Sequence, residues 1–302
     1  MKKNLNENIR KIRDDMDKKA DKKMNIILRE YKKSLKNIQN EMSKIYMEYS
    51  VDRELKVNKK QRYSILMQLD KKLIEELKNL GAVDVKETTI ILEEVYSESY
   101  YRTAFEIDRG LNVILDFPIL KKEFIKSAIN LPIKGKMFSD RIWDNKKKLV
   151  NKVRKSVKSA VIEGVPIDKL AREIKKEFGT SAYESKRLIY NEVARCVSQA
   201  QDEIYENNDA VVEVMFDATL DDKTSDICQS LDGTRYSKGS QPSIPEDTHV
   251  GCRSCIIPVV ENWNPSRKRE NMKGEDGEKY IINYKDYRSW IESRGIHILN
   301  EQ

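Results

Sequence analysis

Three of the four cysteines and one of the two histidines of this 302-residue chain fall between residues 228 and 255. The order is Cys228, twenty residues, His249, two residues, Cys252, two residues, Cys255. Thiolates and an imidazole, in short ligand pairs that close a long loop, suit tetrahedral zinc. The loop of residues 232–251 carries Gly233, Gly239, Pro242, Pro245 and Gly251 and little apolar content, so something other than a core has to tether it. A metal would, because metal binding in such modules is largely folding free energy. The competing reading is free thiols with His249 hydrogen-bonded to a nearby Asp. Catalytic zinc is disfavoured, since it keeps three protein ligands and one open position, whereas four soft ligands here would close the shell. His249-Val250-Gly251 also lacks the Glu of the zinc deaminases. No H-E-x-x-H, Walker A or G-x-G-x-x-G stretch occurs. Cys252-Arg253-Ser254-Cys255 matches a redox C-x-x-C in form, but no βαβ pattern surrounds it. The expectation is a structural zinc on Cys228, His249, Cys252 and Cys255, no catalytic residue and no enzyme activity.

The elements that must position these ligands are short. VVEVMFD (211–217) is a β-rich run, and TRYS and CIIPVV read as two further strands between Gly and Pro turns. Asp221, Lys223 and Thr224 follow the first run into a turn, where Asp and Thr side chains bond neighbouring backbone N–H groups; this reads as loop architecture. Upstream, Ser181 and Glu184 form an S-x-x-E capping box. They are expected to open a helix through about Tyr205, after a short helix PIDKLAREIKKEF ended by Gly179. The helix stripe is Ile189, Val193, Cys196, Val197, Ala200 and Ile204, so Cys196 reads as a small buried hydrophobe.

The front of the chain is helical in pattern. No Gly or Pro precedes Gly81. Met24, Leu28, Tyr31, Leu35, Ile38, Met42, Ile45 and Tyr49 step by four and three, a heptad seam. Leu5, Ile9, Ile12 and Met16 step likewise, and DKKADKK interrupts the seam as a stutter would. Ile65, Leu66, Leu69, Leu73, Leu77 and Leu80 read as a second helix with Gly81 as its stop. The two helices close as an intramolecular hairpin, or the first pairs with another chain; both readings stand. Residues 86–140 are mostly helical, broken at Pro118 and Pro132. From Asp140, Leu149, Val150, Val153, Val157, Ala160 and Val161 form an apolar face. Lys146, Lys147, Lys148, Lys152, Arg154, Lys155 and Lys158 lie opposite.

Composition bounds the rest. Lys and Arg number 57 against 50 Asp and Glu, for a net +7, and 35% of residues are charged. The charge is clustered: residues 1–60 hold 18 basic and 10 acidic residues, and 111–160 hold 13 and 4. Eleven Gly and seven Pro argue against a collagen-like or meandering all-β chain. No apolar run is long enough to span a bilayer, and the first residues lack the apolar core of a secretory signal. A cytoplasmic, reducing site of synthesis is expected. The fold class expected is α+β, mainly helical. Its parts are a coiled-coil-like helical arm at 1–80, a helical connection at 81–137, a small α+β module at 138–262 and a polar tail at 263–302.

The stretch TLDDKTSDICQSLDGTRY…PEDTHVGCRSCIIPV resembles the signature of the tailed-phage minor head proteins, the phage Mu protein F-like or head morphogenesis family. Asp221, Lys223, Thr224, Cys228, Asp232, Gly233, His249, Cys252 and Arg253 occupy its positions. Arg141-Ile142-Trp143 and Gly164 resemble the family upstream, and the likeness covers about residues 138–260. Three positions depart: Tyr190-Asn191-Glu192 stands where many members have Arg-Thr-Glu, Ser225 where many have Cys, and Ser254 where the third residue of Cys-Arg-Cys is usual. The resemblance implies a low-copy protein of the capsid interior that associates with the portal protein and other head proteins. It also implies sequence-independent binding of double-stranded DNA and, in some members, exit with the genome. The basic face of Lys148, Lys152, Arg154, Lys155 and Lys158 suits phosphate neutralisation without base readout; its plainer reading is a solvated helix surface. Other classes remain: an enzyme such as a nuclease or toxin on the same module, or a zinc and coiled-coil DNA-binding regulator on the host side.

Overall fold

A 45-residue helix free of Gly and Pro opens the described part of the chain. The computed structural model describes residues 5–51, 54–111, 117–260, 267–269 and 280–293. Helix α1 (Leu5–Tyr49) leads through a hairpin of β1 (Ser50–Val51) and β2 (Glu54–Leu55) to α2 (Lys59–Leu111). Three more helices follow: α3 (Lys122–Ile129), α4 (Phe138–Glu163) and α5 (Ile167–Glu206). Then come β3 (Val211–Asp217), α6 (Asp226–Leu231), β4 (Arg235–Tyr236) and β5 (Cys255–Val260). The last described elements are β6 (Arg267–Arg269), β7 (Ile281–Asn283) and α7 (Tyr287–Ser293). This is the mainly helical α+β architecture expected. The chain forms two compact units, one of residues 21–91 and 130–189, the other of residues 1–20, 92–129 and 190–302.

The regular elements of the first unit are helices, apart from the β1–β2 hairpin and the Ile133–Lys136 bridge. Met24, Ile27, Tyr31, Ile38, Met42 and Ile45 of α1 are buried, as are Leu69, Leu73 and Leu77 of α2 and Leu149, Val153 and Val157 of α4. The seam is therefore covered by the chain's own helices. Ile27 and Ser34 lie deeper than the heptad positions Leu28 and Leu35. Gly81 does not stop a helix; it lies inside α2. A Cβ there would stand 2.3 Å from the Trp143 ring of α4, so the glycine permits a close helix approach. Gly179 and Ser181 likewise lie within the continuous α5, whose Phe178, Ser181 and Ser185 share one buried face. That burial outweighs the roughly 1 kcal/mol that glycine costs a helix. Lys146, expected on the exposed basic face, is buried and paired with Asp84.

The second unit puts a small sheet against helix. Leu5, Ile9, Ile12, Met16 and Ala20 of α1 are all buried, and Ala20 carries the stripe through DKKADKK in successive steps of four, Met16–Ala20–Met24, a break in the heptad stepping as expected. Val193, Cys196, Val197, Ala200 and Ile204 of α5 are buried as expected. The sheet order is β4-β3-β5, antiparallel throughout, with Asp217 opposite Cys255 and Val214 opposite Pro258. Pro258 is tolerated because β5 is an edge strand. Arg195 donates to the Ala128 and Ile129 carbonyls at the end of α3, at 2.9 and 2.8 Å, and to Glu192. Among the described residues of both units, no helix is long and apolar enough to cross a membrane.

Candidate metal centre in the sheet unit

Helix α6, one turn and a half long, sets the first ligand. Ser225 caps it by accepting from the Cys228 N–H, and Cys228 is buried one turn later. The second and third ligands sit on a turn ahead of β5, closed by the Cys252 N–H donating to the His249 carbonyl at 3.1 Å. Gly251, at φ 80°, makes the left-handed turn that a Cβ would strain. Its N–H donates to Asn191 Oδ1 at 2.7 Å, and Arg13 holds the Cys252 carbonyl at 3.2 Å.

These elements bring Cys228, His249 and Cys252 together, with donor atoms all within 4.8 Å of one another. The two sulfurs are 3.6 Å apart, close to the roughly 3.8 Å edge of a tetrahedron with 2.3 Å metal–sulfur bonds. His249 Nδ1 lies 3.1 Å from the Val250 carbonyl. A proton on Nδ1 bonded there leaves Nε2 as the ligand atom, the usual outer support of a metal-bound imidazole. The Cys228 thiol beside it holds Cys252 well below its ordinary range, to about 5, and Cys228 is pushed up in turn. Two thiol sulfurs and one imidazole in this arrangement could hold a metal ion.

The fourth expected ligand is elsewhere. Cys255 begins β5, and its thiol faces the Asp217 carbonyl and carboxylate at 4.0 and 3.9 Å. Burial raises it to about 12. Strand pairing, invisible in a C-x-x-C spacing, turns it away from the cluster. The loop is also less dependent on a metal than its composition implies, because Ile244 is buried and Gln241 donates to Asp202 at 2.9 Å.

The remaining signature residues build the frame. Asp221 accepts from Lys223 N–H at 3.0 Å and from Thr224 Oγ1 at 3.1 Å, and Arg253 clamps its carboxylate through both terminal nitrogens. The Lys223 side chain is exposed and takes no part in this turn. Asp232 accepts from the Ala218 N–H at 2.7 Å, and Gly233, at φ 76°, donates to the Phe216 carbonyl at 2.9 Å. Sequence reading missed Arg10 and Lys268. Arg10 donates to the Asp217 carboxylate at 2.9 and 2.5 Å and to the Asp217 and Ala218 carbonyls. Lys268 bridges Asp217 and Asp232 at 2.9 and 2.8 Å. Burial works to raise the Asp217 carboxyl, but Arg10 and Lys268 together hold it below the usual range. No spacing signal could have found a pair separated by more than two hundred residues.

Residues 151–257, which hold all three ligands together with Asp221, Asp232, Gly233 and Arg253, match the family described as Phage Mu protein F like protein. The chain is also 21% identical over 309 residues to the minor head protein GP7 of Bacillus phage SPP1, across 95% of this chain and 97% of that one. Both matches point to the phage minor head protein family. The chain is also 24% identical over 212 residues to the NAD(+)–arginine ADP-ribosyltransferase EFV of Enterococcus faecalis. That match covers 65% of this chain but only 42% of the transferase, so the chain spans less than half of that relative. No solved structure matches it.

Proposed function

We propose that the chain is a minor head protein placed inside a tailed-phage capsid at the portal vertex, where it aids head assembly and binds double-stranded DNA without reading sequence. It is made in the host bacterial cytoplasm, enters the virion and leaves with the genome. The observation that carries this reading is the near end-to-end match to a minor head protein, which takes in the long helices as well as the module. Exposed Lys148, Lys155 and Lys158 on α4 support the DNA contact. Lys152 and Arg154, also exposed, would have to exchange Glu177 and Asp70 for phosphate. Contact with the portal or another head protein falls to the helical unit. There an apolar groove of about 290 Å³ is lined by Tyr63, Met67, Leu73, Val153 and Val157, with Arg154 and Lys158 also among its lining residues. In this reading one zinc on Cys228, His249 and Cys252 fastens α6 to the start of β5 as a structural ligand.

Co-purification with assembled heads tests the proposal. Tyr63→Glu with Met67→Glu alters two exposed residues and should abolish incorporation while leaving the fold; undiminished incorporation would overturn the partner face. The second reading, a phage-derived enzyme such as a toxin or nuclease, is favoured only by the transferase relative. NAD consumption by the purified chain would establish that reading in place of the first.

A further inference from the structure

The zinc reading above, on which this inference rests, treats the metal as a structural fastener, but the donors do not close its shell. We infer that the metal has three ligands among the described residues, Cys228, His249 and Cys252, and one exchangeable position for a further monodentate nitrogen or sulfur donor.

Three observations lead there. First, among the described residues only these three ligand atoms converge. Cys255 cannot join them without leaving β5, where it pairs with Asp217 and is 4% exposed. Asp217 is itself fixed by Arg10 and Lys268, so the strand end has no slack. Second, the Asp221 carboxylate of the frame is already engaged: Arg253 holds both its oxygens. Third, the ligand turn borders solvent. His249 is half-buried, Val250 is 59% exposed, and no atom lies within 4 Å of where a Gly251 Cβ would stand. An outside donor therefore has access to the edge of the site that carries the imidazole.

The donor class follows from the set. Two thiolates and a neutral imidazole balance the charge of a divalent zinc, so the free position calls for a neutral or singly charged ligand. Sulfur and nitrogen match the softness of the other three. A free small molecule or a histidine or cysteine side chain of another head protein has this chemistry.

Cobalt substitution of the full chain reads the shell directly. One Co²⁺ per chain should bind. Its visible ligand-field bands should shift saturably when imidazole is added. Cys255→Ser, or Cys255→Ala if the serine variant misfolds, should give the same bands and the same imidazole response. Cys228→Ser should lose more than about a hundredfold in affinity, beyond what loss of an outer hydrogen-bond partner costs. If head assembly shifts the bands and then blocks imidazole, a partner side chain is the donor; if it does not, the ligand is small and free. Bands indifferent to imidazole, or altered by removing the Cys255 thiol, would show a closed four-ligand shell and overturn the inference while leaving the metal in place. A chain that takes up neither Co²⁺ nor Zn²⁺ overturns the zinc reading itself.

Discussion

Lys146 Nζ donates to Asp84 Oδ2 at 2.6 Å in the middle of the helical unit, with neither side chain more than 3% exposed. Four helices meet at this pair. Lys146 comes from α4 and Asp84 from α2, Tyr31 Oη of α1 accepts a second hydrogen bond from Lys146, and Ser185 of α5 donates to Asp84 at 2.7 Å. Removing either charge leaves the other buried without a counter-ion, which costs about 3–5 kcal/mol. Lys146→Met is therefore expected to lower the unfolding free energy of this unit, read from its urea transition, by that much. Lys146→Met with Asp84→Leu should recover most of the loss, since an apolar pair of similar volume carries no desolvation cost. A double variant as unstable as the single one would mean that the network with Tyr31 and Ser185, not the ion pair, holds the helices.

Much of this was legible in the residues, and the reasons for the exceptions are physical. The apolar stripes of α1 and α4 recur at the helical spacing that the helix itself sets, and β3 and β5 stand out as β-rich runs. The buried charge of Lys146 was not legible. It sits beside two other lysines, and its partner lies 62 residues away. The Cys228–His249–Cys252 site showed in spacing, yet Cys255 fitted the same spacing and was excluded only by its pairing with Asp217. Gly81 and Gly179 read as stops because glycine's local cost is visible in sequence and the packing that offsets it is not.

Those two glycines give opposite expectations. A Cβ at Gly81 meets the ring of Trp143, which is held in the helix contact, whereas one at Gly179 meets no atom within 4 Å. Gly81→Ala is expected to destabilise by about 1–3 kcal/mol through overpacking. Gly179→Ala should stabilise by about 0.5–1 kcal/mol, the helix-propensity difference. Trp143→Leu should relieve much of the Gly81→Ala cost in a double-mutant cycle. Equal effects from the two alanines would remove the packing explanation for Gly81.

Asp202 gives the sheet unit a pH dependence of definite sign. Burial raises its carboxyl to about 7, with Glu206 adding to the rise and the hydrogen bonds from Gln241 and Ser198 opposing it. Because the folded value lies above the unfolded one of about 3.9, folding favours the protonated form. That stabilisation is complete below about pH 4 and is lost as pH rises through about 7. Asp202→Asn keeps the acceptor for Gln241 and never ionises. Its melting curve should match the native chain at pH 4 and lie above it at pH 8. A gain on the order of 1–2 kcal/mol is expected, because water reaching this half-buried residue screens part of the shift. A variant less stable than the native chain at pH 8 would mean that Asp202 works as a carboxylate.

The basic face of α4 makes the DNA reading quantitative. Lys148, Lys155 and Lys158 are exposed and have no ion-pair partner among the described residues. Lys152 and Arg154 are held by Glu177 at 2.8 Å and Asp70 at 2.5 Å. Each phosphate neutralised contributes about 0.9 to the slope of log affinity against log salt. Replacing Lys148, Lys155 and Lys158 by Gln should therefore lower that slope by at most about three units, while Lys152→Gln with Arg154→Gln should lower it less, because those side chains must first give up a carboxylate. Two duplexes of unrelated sequence, titrated by fluorescence anisotropy at several salt concentrations, should bind the native chain equally. If the triple variant keeps the native slope, α4 presents only a solvated surface, and whatever DNA affinity the chain has must come from other cations.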